Sequence, residues 1–139
     1  MRVNGIGLWV LIIGMLGSGM VVQAATTAES SSGALDGKTF VGEMGSKDKA
    51  KGDPDQFRFR DGQFRSTACD PYGFDDAPYM TSIQGDALTF EAQTESPTEG
   101  RIVWEGIVRG DHLEGTAMWY KKQADAAQEE MWFKGTTQP

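Results

Sequence analysis

Cys69 and His112 are the two side chains with the most chemistry to offer, since each is the sole residue of its type in the chain. A catalytic thiol needs a base within hydrogen-bond reach. Cys69 stands where a predicted strand enters a long connection, and His112 follows a tight turn, so the elements set out below put them at opposite ends of one sheet. They do not make a dyad. Alone, Cys69 reads either as a solvent-reachable thiol sensor or as a buried structural residue, and the frequent burial of free cysteine favours the second. His112 has no second histidine with which to share a metal. No glycine-rich phosphate loop and no serine in a nucleophile elbow can be found. The sequence therefore predicts no catalytic residue, no metal site and no cofactor.

Binding chemistry is better represented. The stretch from Cys69 to Pro78 carries Asp70, Tyr72, Phe74, Asp75 and Asp76 and two prolines, Pro71 and Pro78. Tyr72 and Phe74 are too apolar to stand wholly in water, so this stretch is expected to fold over an opening as a lid. Cys69, Asp70, Tyr72, Phe74 and Tyr79 are the candidate ligand-binding residues. The three aspartates lack the alternation of a calcium loop. Arg58, Arg60 and Arg65 form a second candidate, a patch for an anion or a partner. The predicted register sets Arg58 opposite Arg65, where like charges repel. Local acids, with Glu43 as the candidate, or an anionic partner must compensate.

The elements that position these residues are short strands. Eight are readable: Lys38–Met44, Asp55–Arg60, Gln63–Ala68, Tyr79–Gln84, Ala87–Thr94, Arg101–Arg109, His112–Tyr120 and Glu129–Thr136. Only Ala124–Ala127 hints at a helical turn. Asp61-Gly62, Gly85-Asp86 and Gly110-Asp111 are two-residue hairpin turns built from residues that tolerate positive φ. If Arg109 pairs with His112, then Val108 faces Leu113, Gly106 faces Gly115, Trp104 faces Ala117 and Ile102 faces Trp119. The other two turns set Tyr79, Thr81 and Ile83 against Ala92, Phe90 and Leu88, and Phe57 and Phe59 against Ser66 and Phe64. Each turn collects large apolar side chains on one face, which a slipped register would scatter.

Eight sequential antiparallel strands with one apolar face close most naturally into an up-and-down barrel. A two-sheet sandwich is the alternative. The inward glycines Gly42, Gly106 and Gly115 would let strands bend sharply. Phe40, Phe57, Phe59, Phe64, Phe90, Phe133, Trp104 and Trp119 are expected to fill the interior, leaving any ligand site shallow and near the mouth. In a meander, alternate connections share an end. The three tight turns therefore lie together, and the four long connections, Gly45–Pro54, Cys69–Pro78, Glu95–Gly100 and Lys121–Gln128, crowd the other rim. Long loops on a rigid scaffold are the usual place for binding residues.

The N-terminus carries Arg2, then an apolar run from Ile6 to Val22, then Val22-Gln23-Ala24 with small side chains where a signal peptidase reads. Residues 1–24 are read as a cleaved signal peptide, 25–34 as a flexible leader, and 35–139 as a single barrel domain. The alternative, an uncleaved membrane anchor, is opposed by Gly14, Gly17 and Gly19 inside a run barely long enough to span. Cleavage would leave no stable membrane anchor and a periplasmic or secreted domain. The chain has 13 basic and 20 acidic residues, for a net charge of −7. That balance argues against a nucleic-acid binder, which needs a basic surface. One cysteine permits no internal disulfide.

Leu35-Asp36-Gly37-Lys38-Thr39-Phe40, Phe64-Arg65-Ser66-Thr67-Ala68-Cys69, Tyr72-Gly73-Phe74 and Gly110-Asp111-His112-Leu113-Glu114-Gly115-Thr116, with Trp132-Phe133-Lys134-Gly135 near the end, are the segments that carry a resemblance. Through them the chain resembles a group of short exported bacterial proteins of unassigned function, and its architecture is similar to the calycin barrels, the lipocalins among them. That resemblance implies a barrel and assigns no catalytic residue. The expected function is an exported binding module at the long-loop end for a small or extended ligand that the sequence does not identify. The alternative is an interaction or inhibitor module that presents acidic loops to an envelope protein.

Overall fold

The computed structural model describes residues 32–123 and 128–139. The stretch read as a signal peptide, most of that read as a leader, and the helical turn expected at Ala124–Ala127 lie outside them. Eight strands follow one another: β1 (Thr39–Ser46), β2 (Asp53–Arg60), β3 (Gln63–Ser66), β4 (Ala77–Gln84), β5 (Ala87–Ser96), β6 (Gly100–Arg109), β7 (His112–Lys121) and β8 (Glu129–Thr137). Each pairs antiparallel with the next and β8 pairs with β1, closing a barrel. The sandwich is thereby excluded. Closure removes both sheet edges, which an open sheet of this length would expose.

The three turns set the register expected of them. Arg109 pairs with His112 and Trp104 with Ala117, Thr81 with Phe90, and Phe59 with Phe64. Asp61 (φ +52°), Gly62, Gly85 and Gly110 occupy the left-handed conformations these turns demand. All six inward phenylalanines and Trp104 are at most 1 % exposed. Phe59 touches the rings of Phe40, Phe64, Tyr79 and Phe90 at centroid distances of 4.9–5.9 Å, mostly edge to face, the arrangement favoured by the ring quadrupole. Trp104 packs against Phe57, Phe64 and Phe133, and its indole N–H donates to Thr94 Oγ1 at 2.9 Å. The barrel is a packed aromatic core through its middle.

Two glycine pairs make that packing geometrically feasible. Gly106 faces Gly115 across β6 and β7, and Gly42 faces Gly135 across β1 and β8. A Cβ on Gly106 would lie 2.3 Å from the Phe90 ring, and one on Gly115 would lie 2.2 Å from the Glu105 carbonyl oxygen and 2.6 Å from the Phe133 ring. At Gly106 and Gly115 the missing side chains leave the space the rings use, and at Gly42 the missing side chain leaves room for the main chain of β8.

Two expectations are corrected at the tight-turn end. Tyr79 was expected among the long loops but lies fully buried beside the Asp61-Gly62 turn, its backbone N–H donating to the Gly62 carbonyl. The cause is the stagger of the barrel. β3 stops at Ser66, two residues before the expected end, and Ala77 pairs with Phe64 and Pro78 with Gln63, so β4 starts low and runs past the turn. The phenol donates to Asp36 Oδ1 (2.7 Å) and accepts the Leu35 N–H (3.0 Å), which tethers the Leu35 side chain across this end as a plug. Asp36 also accepts the Gly62 N–H. Ile83, expected inward, is 69 % exposed because the β4–β5 hairpin projects beyond the closed end.

Candidate binding site at the loop end

At the opposite end β3 gives way to a short 3-10 helix, η1 (Thr67–Tyr72), which lies over the mouth and ends at Gly73 in a left-handed conformation (φ +82°). Pro71 inside η1 restrains the chain. Under and beside η1 is a recess of about 470 Å³, a size suited to one small molecule. Its strand-borne wall is Met44, Ile102, Trp119 and Met131; Cys69, Tyr72 and Phe74 close it from the lid side; Ser46, Asp53 and Glu129 supply its polar groups. The lining refines a further expectation: Trp119 packs against the core but is not enclosed by it. It is half-buried at the rim, where its indole N–H donates to the Glu99 carbonyl (2.9 Å) and Lys121 Nζ lies 4.7 Å from its ring centroid.

The lid is held from below by Asp55. Alternation along β2 puts Asp55 on the same inward face as Phe57 and Phe59, and it is 3 % exposed. Its carboxylate accepts from Ser66 Oγ (2.5 Å), the Ala68 N–H (3.0 Å) and the Gln56 N–H (2.7 Å). Burial pushes its pKa above the ordinary aspartate value, against the pull of those donors. Because the folded carboxyl binds its proton more tightly than the unfolded one, its contribution to stability is greatest below the ordinary aspartate pKa. It is lost as pH rises through the elevated value. Asp55→Asn keeps an acceptor for the Ala68 N–H and cannot titrate. The gap between wild-type and variant unfolding free energy is therefore expected to shift against the wild type as pH rises through that window, measured by urea melts at several pH values. A pH-independent gap would show that burial does not govern Asp55.

Ser96 Oγ holds the other side of the lid by donating to the Tyr72 carbonyl at 2.7 Å. Phe74, 4 % exposed, anchors it in the core. Tyr72, 56 % exposed, is the aromatic left at the recess edge. Asp70 does not point to the recess. With Asp76 it grips Arg65 (2.9 and 2.8 Å) on the outer wall. These acids come from the lid itself, and both raise the Arg65 pKa. Glu43, the expected counter-charge, pairs instead with Lys134 at 3.3 Å. Arg58 does face Arg65; its guanidinium donates to Gln56, and Arg60 reaches Asp61 at 3.8 Å in full solvent exposure. Arg58, Arg60 and Arg65 thus each have a contact within the chain, with Gln56, Asp61 and the Asp70–Asp76 pair respectively.

Cys69 is 5 % exposed and 3.4 Å from Ser66 Oγ. Burial, reinforced by the charges of Asp55 and Asp70, pushes its pKa up to about 11, so the thiol is protonated near neutral pH and a poor nucleophile. His112 sits on the exposed tight-turn end, across the barrel from Cys69. Of the five candidate ligand residues, the structure brings Cys69, Tyr72 and Phe74 to the recess and leaves Asp70 and Tyr79 outside it. Sequence reasoning missed Met44, Asp53, Asp55, Trp119, Glu129 and Met131. For Asp55 a signal existed, since a carboxylate in phase with two inward phenylalanines must find donors. Comparison of the chain with protein-family models, curated proteins and solved structures gives no match.

Proposed function

We propose that this protein is an exported binding module that holds one small, largely apolar molecule in the loop-end recess. The observation carrying this reading is the recess itself, a sulfur- and aromatic-lined hollow under a tethered lid, above a core too full to admit anything deeper. Export rests on the N-terminal pattern of Arg2, the apolar run and Val22-Gln23-Ala24. A small-molecule ligand ranks ahead of an acidic-loop interaction module because several loop-end acids already have internal partners: Asp70 and Asp76 hold Arg65, and Glu130 holds Lys47 at 2.9 Å.

Met44→Glu tests the site. Met44 is half-buried and lines the recess, so the variant introduces a carboxylate where an apolar ligand must lie. Titration with the uncharged dye N-phenyl-1-naphthylamine is expected to show one saturable site in the wild type. Affinity should fall at least about tenfold in the variant, the order of penalty for setting apolar matter against a charge. Circular dichroism should show an unchanged fold. Absence of saturable binding to the wild type, or equal binding by both proteins, would overturn the proposal.

A further inference from the structure

We infer that the recess selects amphiphiles with a cationic head over those with an anionic one. This rests on the binding reading above and adds the chemistry of the head group. The apolar wall of Met44, Ile102, Trp119 and Met131 suits a hydrocarbon or ring portion. The polar lining is Ser46, Asp53 and Glu129, and among the described residues no Lys, Arg or His lines the recess; the nearest cation at its rim, Lys121, is committed to Glu129 and the Trp119 ring.

The two carboxylates differ in what they have left to give. Glu129 is occupied: Oε1 accepts from Ser46 Oγ at 2.7 Å and Oε2 pairs with Lys121 at 3.3 Å. Those contacts, with a smaller contribution from Lys49 outside the recess, hold its pKa below the usual glutamate value. Asp53 stands beside Met44 on the neighbouring strand, its partner in the β1–β2 register. It is exposed, and its side chain makes no hydrogen bond or ion pair among the described residues. A head group settling over the recess therefore meets one uncommitted negative charge.

An anionic head would lose water beside Asp53 with no cationic partner in the lining, which is costly. An ammonium head gains Asp53 and lies within reach of the Tyr72 ring, whose π face attracts cations. The preference is electrostatic and partly exposed, so added salt should weaken it.

The test uses three probes with the same twelve-carbon tail: dodecyltrimethylammonium, dodecanol and laurate. Each competes with the dye on wild type and Asp53→Asn, below micelle-forming concentrations and where near-ultraviolet circular dichroism is unchanged. The expected order on the wild type is ammonium, then alcohol, then carboxylate. Ammonium should exceed laurate by at least about tenfold at low salt, a difference of about 1.4 kcal/mol. The gap should narrow in Asp53→Asn and in high salt. If dodecanol competes but ammonium binds no better than laurate, head selection is wrong and the recess reading stands. If the ammonium preference survives Asp53→Asn unchanged, the role of Asp53 is wrong. If no probe competes, both this inference and the binding reading fall.

Discussion

Gly42→Ala is expected to destabilise the barrel by about 3 kcal/mol or more, the upper end of what overpacking ordinarily costs. The added methyl carbon would stand 1.8 Å from the Lys134 carbonyl oxygen and 2.6 Å from the Gly135 Cα. Both obstacles are main chain, so no rotamer change relieves them. The strands concerned are β1 and β8, whose pairing closes the barrel, and separating them loosens their seven paired positions together. Gly106→Ala is the informative comparison. There the obstacle is the Phe90 ring edge at 2.3 Å, and a side chain can tilt where a peptide cannot. Urea unfolding should rank Gly42→Ala as clearly the more damaging. Equal losses would mean that the strand crossing is looser than the geometry states.

Phe59→Ala is expected to cost about 3–5 kcal/mol, the range for deleting a buried aromatic ring that its neighbours cannot replace. Phe59 is 1 % exposed and meets four other rings. Those rings belong to β1, β3, β4 and β5, so the vacated volume is bordered by strands tied into a closed ladder, which resists collapse. Thermal or urea unfolding measures the loss. A cost under about 1 kcal/mol would mean that the core repacks around the hole. Phe59→Leu, which keeps most of the volume, should recover a large part of the loss.

The hairpins were legible because their information is local. Asp61-Gly62, Gly85-Asp86 and Gly110-Asp111 each fix a turn, a turn fixes parity, and parity sorts Phe57, Phe59, Phe64, Phe90 and Trp104 inward. Everything that depended on one hairpin relative to another was harder to see. The slide of β4 against β3 is such a quantity, and it carried Tyr79 from the expected rim to the far end. The fate of the long connections is another. Lys47–Gly52 does not lean over the opening. It folds along the outer wall of β8, where Trp132 Nε1 donates to the Lys49 carbonyl at 2.8 Å and Lys47 pairs with Glu130.

The site was legible only in part for the same reason. Tyr72, Phe74 and Cys69 share one segment, and a run of aromatic, proline and acidic residues announces a lid. Met44, Ile102, Trp119 and Met131 come from four strands and meet only because the barrel closes. The acids of the lid looked available for a ligand, yet two of them are spent on Arg65, a pairing that depends on how η1 turns back toward β3.

The contact between β3 and β4 consists of two paired positions, where β6 and β7 share ten. Local opening is easiest where the fewest contacts must break. The ring is closed, but its thinnest joint falls beside the strand that leads into η1. Backbone amides of residues 63–72 should exchange with deuterium ahead of those in β6 and β7. The part of the barrel that breathes first is the part that carries the roof of the recess.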